Sequence, residues 1–145
     1  MGGGVSIDLI HEWDYLTYLF GWPKTVCSLI GKKSNLEIDS DDYAIYIAEF
    51  EDKIAELHLD YFGRKTMREI QLFTKDDTII GDITNNKVFF MHKEELIDFH
   101  EERDDYQKRE LIHFLNVVEK IENTGKMGNG FTHGIKILEL TQGRI

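Results

Sequence analysis

Four polar side chains near the start of the chain are spaced so that one helix face could present them together. They lie in GGGVSIDLIHEWDYL and are Asp8, His11, Glu12 and Tyr15. At about 100° per residue, these positions fall within about one third of a helix circumference. A histidine one turn from a carboxylate can have its ring oriented and its basicity tuned, as a general acid or base requires. His11 and Asp8 are therefore the catalytic candidates, and Tyr15 is a candidate for binding a substrate.

The same stripe has two other interpretations. HEWDY has a superficial likeness to the zinc motif H-E-x-x-H, but Tyr15 stands where the second histidine is needed. Metal-dependent hydrolysis through Asp8, His11 and Glu12 stays open as an alternative, although we expect no metal site. A polar helix edge that reaches solvent and does no chemistry is the other alternative.

A second group of candidate residues lies on or just beyond a strand. The stretch LHLDYFGRKTMRE contains Asp60, Tyr61, Arg64 and Arg68. An arginine beside a pocket can bind a carboxylate, a phosphate or sugar hydroxyls. Cross-strand ion pairing is the ordinary explanation for such residues, so both interpretations stay open.

Composition limits the possible partners. A chain of 145 residues, 41% of them hydrophobic, is predicted to form one globular domain. The net charge of −10 argues against nucleic acid, because phosphate binding needs clustered Lys and Arg. The sequence shows neither a membrane-span pattern nor a signal peptide, so we expect no membrane partner and a cytoplasmic location. The lone Cys27 excludes an internal disulfide and is predicted to be a small buried residue.

The hydrophobic pattern predicts a helix, then strands, then helices. The first helix is predicted over Val5 to Phe20, ended by Gly21 and Pro23. Six runs rich in Val, Ile, Phe and Tyr follow, and the run AELHLDYF alternates between an apolar and a mixed face. Asn85-Asn86 is predicted to form a tight hairpin turn.

Helical spacing returns from about Glu94 or Asp104 onward. The apolar stripe Leu111, Phe114, Leu115, Val118 and Ile121 is typical of an amphipathic helix laid on a sheet. TGKMGNG is predicted to be a loop, and FTHGIKILELTQ a last short helix. We therefore predict a single α+β domain over residues 1–145, with a mainly antiparallel open sheet of about six strands and helices packed on one face.

Several stretches together resemble one known family. GGGVSIDLIHEWDYLTYLFGWPKTV, DYAIYIAEFEDKIAELHLDYFGRK and DTIIGDITNN resemble the C-terminal domain of the Gfo/Idh/MocA oxidoreductases, over Gly2 to about Leu140. The resemblance implies that His11 is the active-site histidine that meets the substrate hydroxyl. It implies that Asp8 is the acidic residue preceding it, although three residues separate the two here and four do in many members. It also implies a structural role for Asp14.

The resemblance extends to a possible substrate pocket and to the missing half of the protein. It places Tyr61 and Arg64 near the substrate pocket or a neighbouring subunit. Family members begin with a nucleotide-binding Rossmann domain, for which this sequence has neither the Gly-rich turn nor a Glu-Lys-Pro segment. We therefore expect an isolated domain, either an expressed piece with an added Met or the product of a split gene.

The function that the resemblance implies is the substrate-binding and oligomerisation domain of an NAD(P)-dependent oxidoreductase, a dehydrogenase of a sugar, inositol or sugar derivative. The expected partners are a sugar-like substrate, the missing Rossmann domain and further copies of the chain, packed through the open sheet face. NAD or NADP would bind in the intact enzyme and neither is expected in this chain, which would be inactive alone. The alternative is a stand-alone, non-enzymatic domain that binds a ligand or partner.

Overall fold

A computed structural model describes residues 3–102, 104–119 and 130–143. In chain order the elements are α1 (Val5–Asp8), α2 (His11–Phe20), β1 (Thr25–Gly31), β2 (Tyr43–Glu49), β3 (Ile54–Asp60), β4 (Glu69–Phe73), β5 (Thr78–Asp82), β6 (Lys87–Phe90), β7 (Glu95–Asp98), α3 (Asp105–Val118) and α4 (Phe131–Thr141). They divide into unit 1, Met1–Gly63 with Gly128–Ile145, and unit 2, Arg64–Met127.

Unit 1 is built on a three-stranded antiparallel sheet with β2 in the centre. Side chains of β2 alternate between the two faces, and Ala44, Tyr46 and Ala48 are buried on the inner face. Trp13 of α2 packs edge-on against Tyr46, with 5.2 Å between the ring centroids. The helices therefore cover the inner face of the sheet, which is where the core lies. The buried apolar side chains are Val5, Trp13, Leu16, Val26, Ala44, Tyr46, Ala48, Phe50, Leu59, Ile137 and Leu140.

Helix α4 is joined to this core by hydrogen bonds as well as by apolar contacts. The buried Tyr46 hydroxyl donates to the Thr141 carbonyl at 2.8 Å. Near the other end of α4, a ring nitrogen of His133 lies 2.8 Å from the Asp14 carboxylate on α2. The structural role expected for Asp14 fits this contact, which connects two helices distant in sequence.

Unit 2 is an antiparallel meander in the order β4-β5-β6-β7, followed by α3. The β5-β6 connection has Asn86 at a φ of 55°, so a hairpin at this place is confirmed, but its turn is the four residues 83–86 rather than Asn85-Asn86 alone. Helix α3 forms where helical spacing predicted it, but it buries none of its residues, so its apolar stripe is exposed rather than packed on a sheet. Ile121 and most of the predicted loop TGKMGNG lie outside the described residues.

The α+β class with antiparallel strands is confirmed, and four details differ from the sequence-based expectation. The described strands number seven and form two sheets, because β3 and β4 do not pair. Of the two predicted starts of the later helix, Glu94 is wrong, because Glu95–Asp98 is a strand, whereas Asp104 is right, because it is the N-cap of a helix that begins at Asp105. Cys27 is exposed, because it alternates onto the outer face opposite Ile47. The helix predicted over Val5 to Phe20 is two helices separated at Leu9 and Ile10.

Candidate active site

Asp8 lies at the end of α1 and accepts hydrogen bonds from two sides. The Tyr61 hydroxyl donates to Asp8 Oδ2 at 2.5 Å, and the Gly3 backbone N–H donates to Oδ1 at 3.2 Å. Tyr61 directly follows β3, so its hydrogen bond ties α1 to the end of the sheet. The structure thus brings together two of the predicted site residues that are 53 positions apart in sequence.

Tyr61 is held as a neutral hydrogen-bond donor. Burial raises the pKa of the Tyr61 phenol, and the hydrogen bond to Asp8 and the negative charges of Asp8 and Asp41 raise it further. Its backbone N–H donates to the Asp42 carbonyl at 3.1 Å, which fixes the start of the segment after β3. A phenol held in this way donates to a carboxylate throughout the physiological pH range.

His11 is the first residue of α2, and its side chain remains 49% exposed. Its Nε2 lies 3.0 Å from Oε1 of Glu12, whose side chain is only 8% exposed. The sequence pattern suggested Asp8 as the carboxylate that orients this ring. The structure places Glu12 beside it, because the break at Leu9 and Ile10 puts Asp8 on a separate helix that bonds to Tyr61.

Tyr15 and Arg64 are the two remaining predicted site residues. Tyr15 lies on α2, one turn after His11, and is partly buried. Arg64 is exposed and is the first residue of unit 2. Substrate binding by Tyr15, Tyr61 and Arg64 stays a prediction.

Asp41 is a site-supporting residue that the sequence analysis did not single out. Its carboxylate accepts the Ser6 backbone N–H at 2.9 Å, and its carbonyl accepts the Val5 N–H at 3.1 Å. These contacts satisfy the free N–H groups at the start of α1, whose N-cap is Gly4 with a φ of 94°. No local pattern could pair residues 35 positions apart, although the glycine run does signal a close backbone approach.

Asp42, in the same acidic run, holds the loop between β1 and β2. It accepts hydrogen bonds from the backbone N–H groups of Lys33 and Ser34 and from the Ser34 hydroxyl. Burial raises the pKa of the Asp42 carboxyl, but these hydrogen bonds and the charge of Lys32 outweigh burial and hold it below its usual range. An acidic run such as DSDD, residues 39–42, is typical of a solvated loop, yet Asp42 is fully buried.

Neither a metal site nor a dinucleotide site is formed by the described residues. Within the ranges given above, no three His, Cys, Asp or Glu side chains are grouped so that they could hold a metal ion. All strand pairs in the described structure are antiparallel, whereas a dinucleotide-binding βαβ unit needs parallel strands. The described residues therefore form no βαβ unit of the dinucleotide-binding type. No helix of the described part has the length and apolar character needed to cross a membrane.

Comparison with known proteins decides the family. Residues 1–143 match the model of the Gfo/Idh/MocA oxidoreductase family, C-terminal alpha/beta domain. The chain belongs to the Gfo/Idh/MocA family. No curated protein sequence is significantly similar to this Gfo/Idh/MocA domain.

Solved structures share the fold of this Gfo/Idh/MocA domain. UDP-N-acetylglucosamine 3-dehydrogenase GnnA from Acidithiobacillus ferrooxidans is 22% identical, with a TM-score of 0.75 over 97% of this chain and 45% of its own. The oxidoreductase candidate yvaA from Bacillus subtilis is 16% identical, with a TM-score of 0.70 over 97% of this chain and 47% of its own. The Gfo/Idh/MocA domain described here thus spans less than half the length of these relatives.

Proposed function

We propose that this chain is the substrate-binding and oligomerisation domain of an NAD(P)-dependent dehydrogenase that acts on a sugar, inositol or sugar derivative. The observation that carries the proposal is an exposed His11 ring beside the buried Glu12 carboxylate, at the start of a Gfo/Idh/MocA domain. Asp8, three residues earlier in the chain, accepts a hydrogen bond from Tyr61. The chain would be inactive without a nucleotide-binding domain.

The polar groups of unit 1 suit a polyhydroxylated substrate. An imidazole that is half exposed can accept a hydrogen bond from a hydroxyl and take up its proton, which is general base catalysis. The Asp8 carboxylate and the Tyr61 oxygen, whose proton is donated to Asp8, keep lone pairs that can accept hydrogen bonds from further hydroxyl groups. The name of the Acidithiobacillus relative states that it oxidises a nucleotide sugar at position 3, which supports a sugar derivative as the substrate class.

The redox cofactor of this proposal is NAD or NADP, bound by a separate domain. When bound there, it supplies the oxidising chemistry by accepting a hydride from the substrate carbon. What this chain contributes is substrate binding and the acceptance of a hydroxyl proton at His11. We keep the cytoplasm as the proposed compartment, because a chain with a single exposed cysteine suits reducing conditions.

The outer face of β1-β2-β3 is the proposed contact between copies of the chain. It presents Cys27, Leu29, Ile47 and Ile54, all of them exposed. By strand register the same face also carries the exposed Glu49, Glu56 and His58. A mixed face of this kind can be covered by the same face of a second copy in a twofold dimer.

The test joins this chain to the nucleotide-binding domain of a solved relative and measures turnover. Sugars, inositols and nucleotide sugars are supplied with NAD or NADP, and reduced nicotinamide is followed by absorbance. We expect oxidation of at least one of these substrates. His11→Ala should lower kcat by about 10²-fold or more, the usual contribution of a general base, without changing the circular dichroism spectrum.

His92→Ala is the matched control, because His92 is an exposed histidine of unit 2. Its turnover should equal that of the unsubstituted protein. Calorimetric binding of a sugar with no turnover in any joined protein would overturn the proposal in favour of a stand-alone binding domain. Turnover that survives His11→Ala would overturn the assignment of the base.

A further inference from the structure

The Glu12 carboxylate is buried, although the His11 ring that it contacts is half exposed. The residue is 6% exposed, and Oε1 lies 3.0 Å from Nε2 of the half-exposed His11. Charged side chains are almost never fully buried unless they are paired, because removal from water disfavours the charge. The contact with His11 is therefore part of what allows Glu12 to be buried.

The geometry of a helix makes this contact informative. Consecutive helical residues point about 100° apart and do not normally face each other. The His11 ring must therefore turn towards its neighbour for Nε2 to reach Oε1. A ring held by Nε2 points its other nitrogen, Nδ1, away from the carboxylate.

Asp8, the other candidate to orient the ring, already has defined partners. It accepts hydrogen bonds from the Tyr61 hydroxyl and the Gly3 N–H. Those contacts fix the end of α1 against the end of β3. A further carboxylate of this region, that of Asp41, accepts a hydrogen bond from the Ser6 N–H in the first turn of α1.

We propose that Glu12 is the positioning residue of His11: it accepts the Nε2 proton, selects the Nε2–H tautomer and keeps the Nδ1 lone pair for a substrate hydroxyl. The choice of tautomer is a property of this chain alone. The contact between Nδ1 and a hydroxyl rests on the proposed function. Second partners of this kind commonly fix the tautomer and orientation of a functional imidazole.

The first experiment reads the tautomer directly, without any enzyme activity. Long-range proton–nitrogen correlation spectra of the ¹⁵N-labelled chain, recorded where the imidazole is neutral, distinguish a protonated nitrogen from an unprotonated one. We expect His11 to show Nε2 protonated and Nδ1 unprotonated. In Glu12→Gln the amide can accept or donate a hydrogen bond, so the Nδ1–H form should appear alongside the Nε2–H form.

Glu139→Gln is the control, since Glu139 is an exposed carboxylate on α4, and it should leave the His11 signals unchanged. Glutamine matches glutamate in shape, so Glu12→Gln should fold, and the unsubstituted chain is informative without any variant. A His11 ring protonated at Nδ1 in the unsubstituted chain would overturn the proposal. So would a Glu12→Gln spectrum identical to that of the parent.

The second experiment uses the joined, active protein. Glu12→Gln should lower kcat by about 10-fold or more and change KM by less than about threefold, because orientation of the base is lost while substrate contacts remain. A loss confined to KM would show that Glu12 shapes the pocket instead. If no substrate is ever oxidised, the proposed function fails, whereas the tautomer experiment still decides the role of Glu12.

Discussion

At the scale of single residues, the protonation of Tyr46 and Tyr61 makes the folding stability of unit 1 depend on pH. Burial, with the charge of Asp41, raises the pKa of Tyr46 to about 12, and burial together with Asp8 and Asp41 raises the pKa of Tyr61. A tyrosine in the unfolded chain titrates near pH 10. The folded state therefore holds both protons more tightly, and this contribution to stability is fully present below about pH 10.

The first prediction follows because the folded state binds these two protons more tightly than the unfolded state does. The free energy of unfolding should fall as the pH rises from about 10 towards 12, the folded pKa of Tyr46. Urea unfolding at a series of alkaline pH values measures it. Tyr61→Phe should make the fall shallower, whereas Tyr106→Phe, at an exposed position on α3, should leave it unchanged. A stability that does not vary across this range would contradict the raised pKa values assigned to the two phenols.

A second prediction concerns Gly4, where the start of α1 meets Asp41. Its φ is 94°, and an added Cβ would lie 2.0 Å from Asp41 Oδ1. Gly4→Ala should lower the free energy of unfolding by about 1–3 kcal/mol, because it strains the backbone and displaces the carboxylate that caps Ser6. Thermal unfolding followed by circular dichroism measures the change.

Gly134→Ala provides the matched comparison for Gly4. Gly134 lies within α4, and an added Cβ there would meet no atom within 4 Å. Alanine favours helix over glycine, so this variant should gain about 0.5–1 kcal/mol. Equal effects of the two substitutions would show that Asp41 does not pack against Gly4.

Several residue-scale features could be predicted from the sequence and others could not. Asp8 and Tyr61 were both candidates from local patterns, but their hydrogen bond depends on where β3 ends relative to α1. Asp41 and Asp42 appeared as one solvated acidic run. Their roles depend on backbone N–H groups supplied by other segments, which no local pattern reveals.

At the scale of elements, the break between α1 and α2 is the clearest departure from the expected pattern. Apolar and polar positions from Val5 to Phe20 fit helical periodicity, which does not detect the interruption of the helix at Leu9 and Ile10. The β5-β6 hairpin, in contrast, was predictable because Asn at positive φ is a local preference. Local chemistry fixes turns of this type, whereas packing decides where a long periodic stretch divides.

The third prediction concerns how α4 packs. Leu140 is 0% exposed and Leu138, on the same helix, is 40% exposed. Leu140→Ala should lower the free energy of unfolding by about 2–5 kcal/mol, because it leaves a cavity in the core. Leu138→Ala should cost less than about 1 kcal/mol, as exposed substitutions usually do. Denaturant unfolding measures both, and similar costs would show that α4 is not packed through Leu140.

At the scale of the whole molecule, the strand pattern predicted antiparallel pairing but not its division into two sheets. Every strand contains Ile, Leu or Val, so residue type alone does not show that β3 pairs with β2, that β4 pairs with β5, and that β3 and β4 belong to different sheets. After β3 the chain turns at Asp60, whose carboxylate accepts the Phe62 and Gly63 N–H groups. That turn is visible only in the structure.

The fourth prediction tests the outer face of β1-β2-β3. Ile47 lies on the central strand of this face and is 55% exposed. Ile47→Lys should convert an oligomer into a monomer, because it places a charge in the middle of the proposed contact. Sedimentation velocity measures the assembly. Met67→Lys, at an exposed site of unit 2, is the control that makes the same kind of charge change.

A chain that is monomeric at micromolar concentration before any substitution would contradict the proposed contact. An oligomer that persists in Ile47→Lys and dissociates in Met67→Lys would move the contact to unit 2.

The bond between Tyr46 and Thr141 joins residues 95 positions apart, with all of unit 2 between them. Closing so long a loop carries an entropic cost, and contacts of large sequence separation slow folding. The β4–β7 meander, whose pairings are local, can form earlier. During synthesis on the ribosome, the core around Trp13 and Tyr46 therefore lacks its α4 cover until residues 131–141 have emerged.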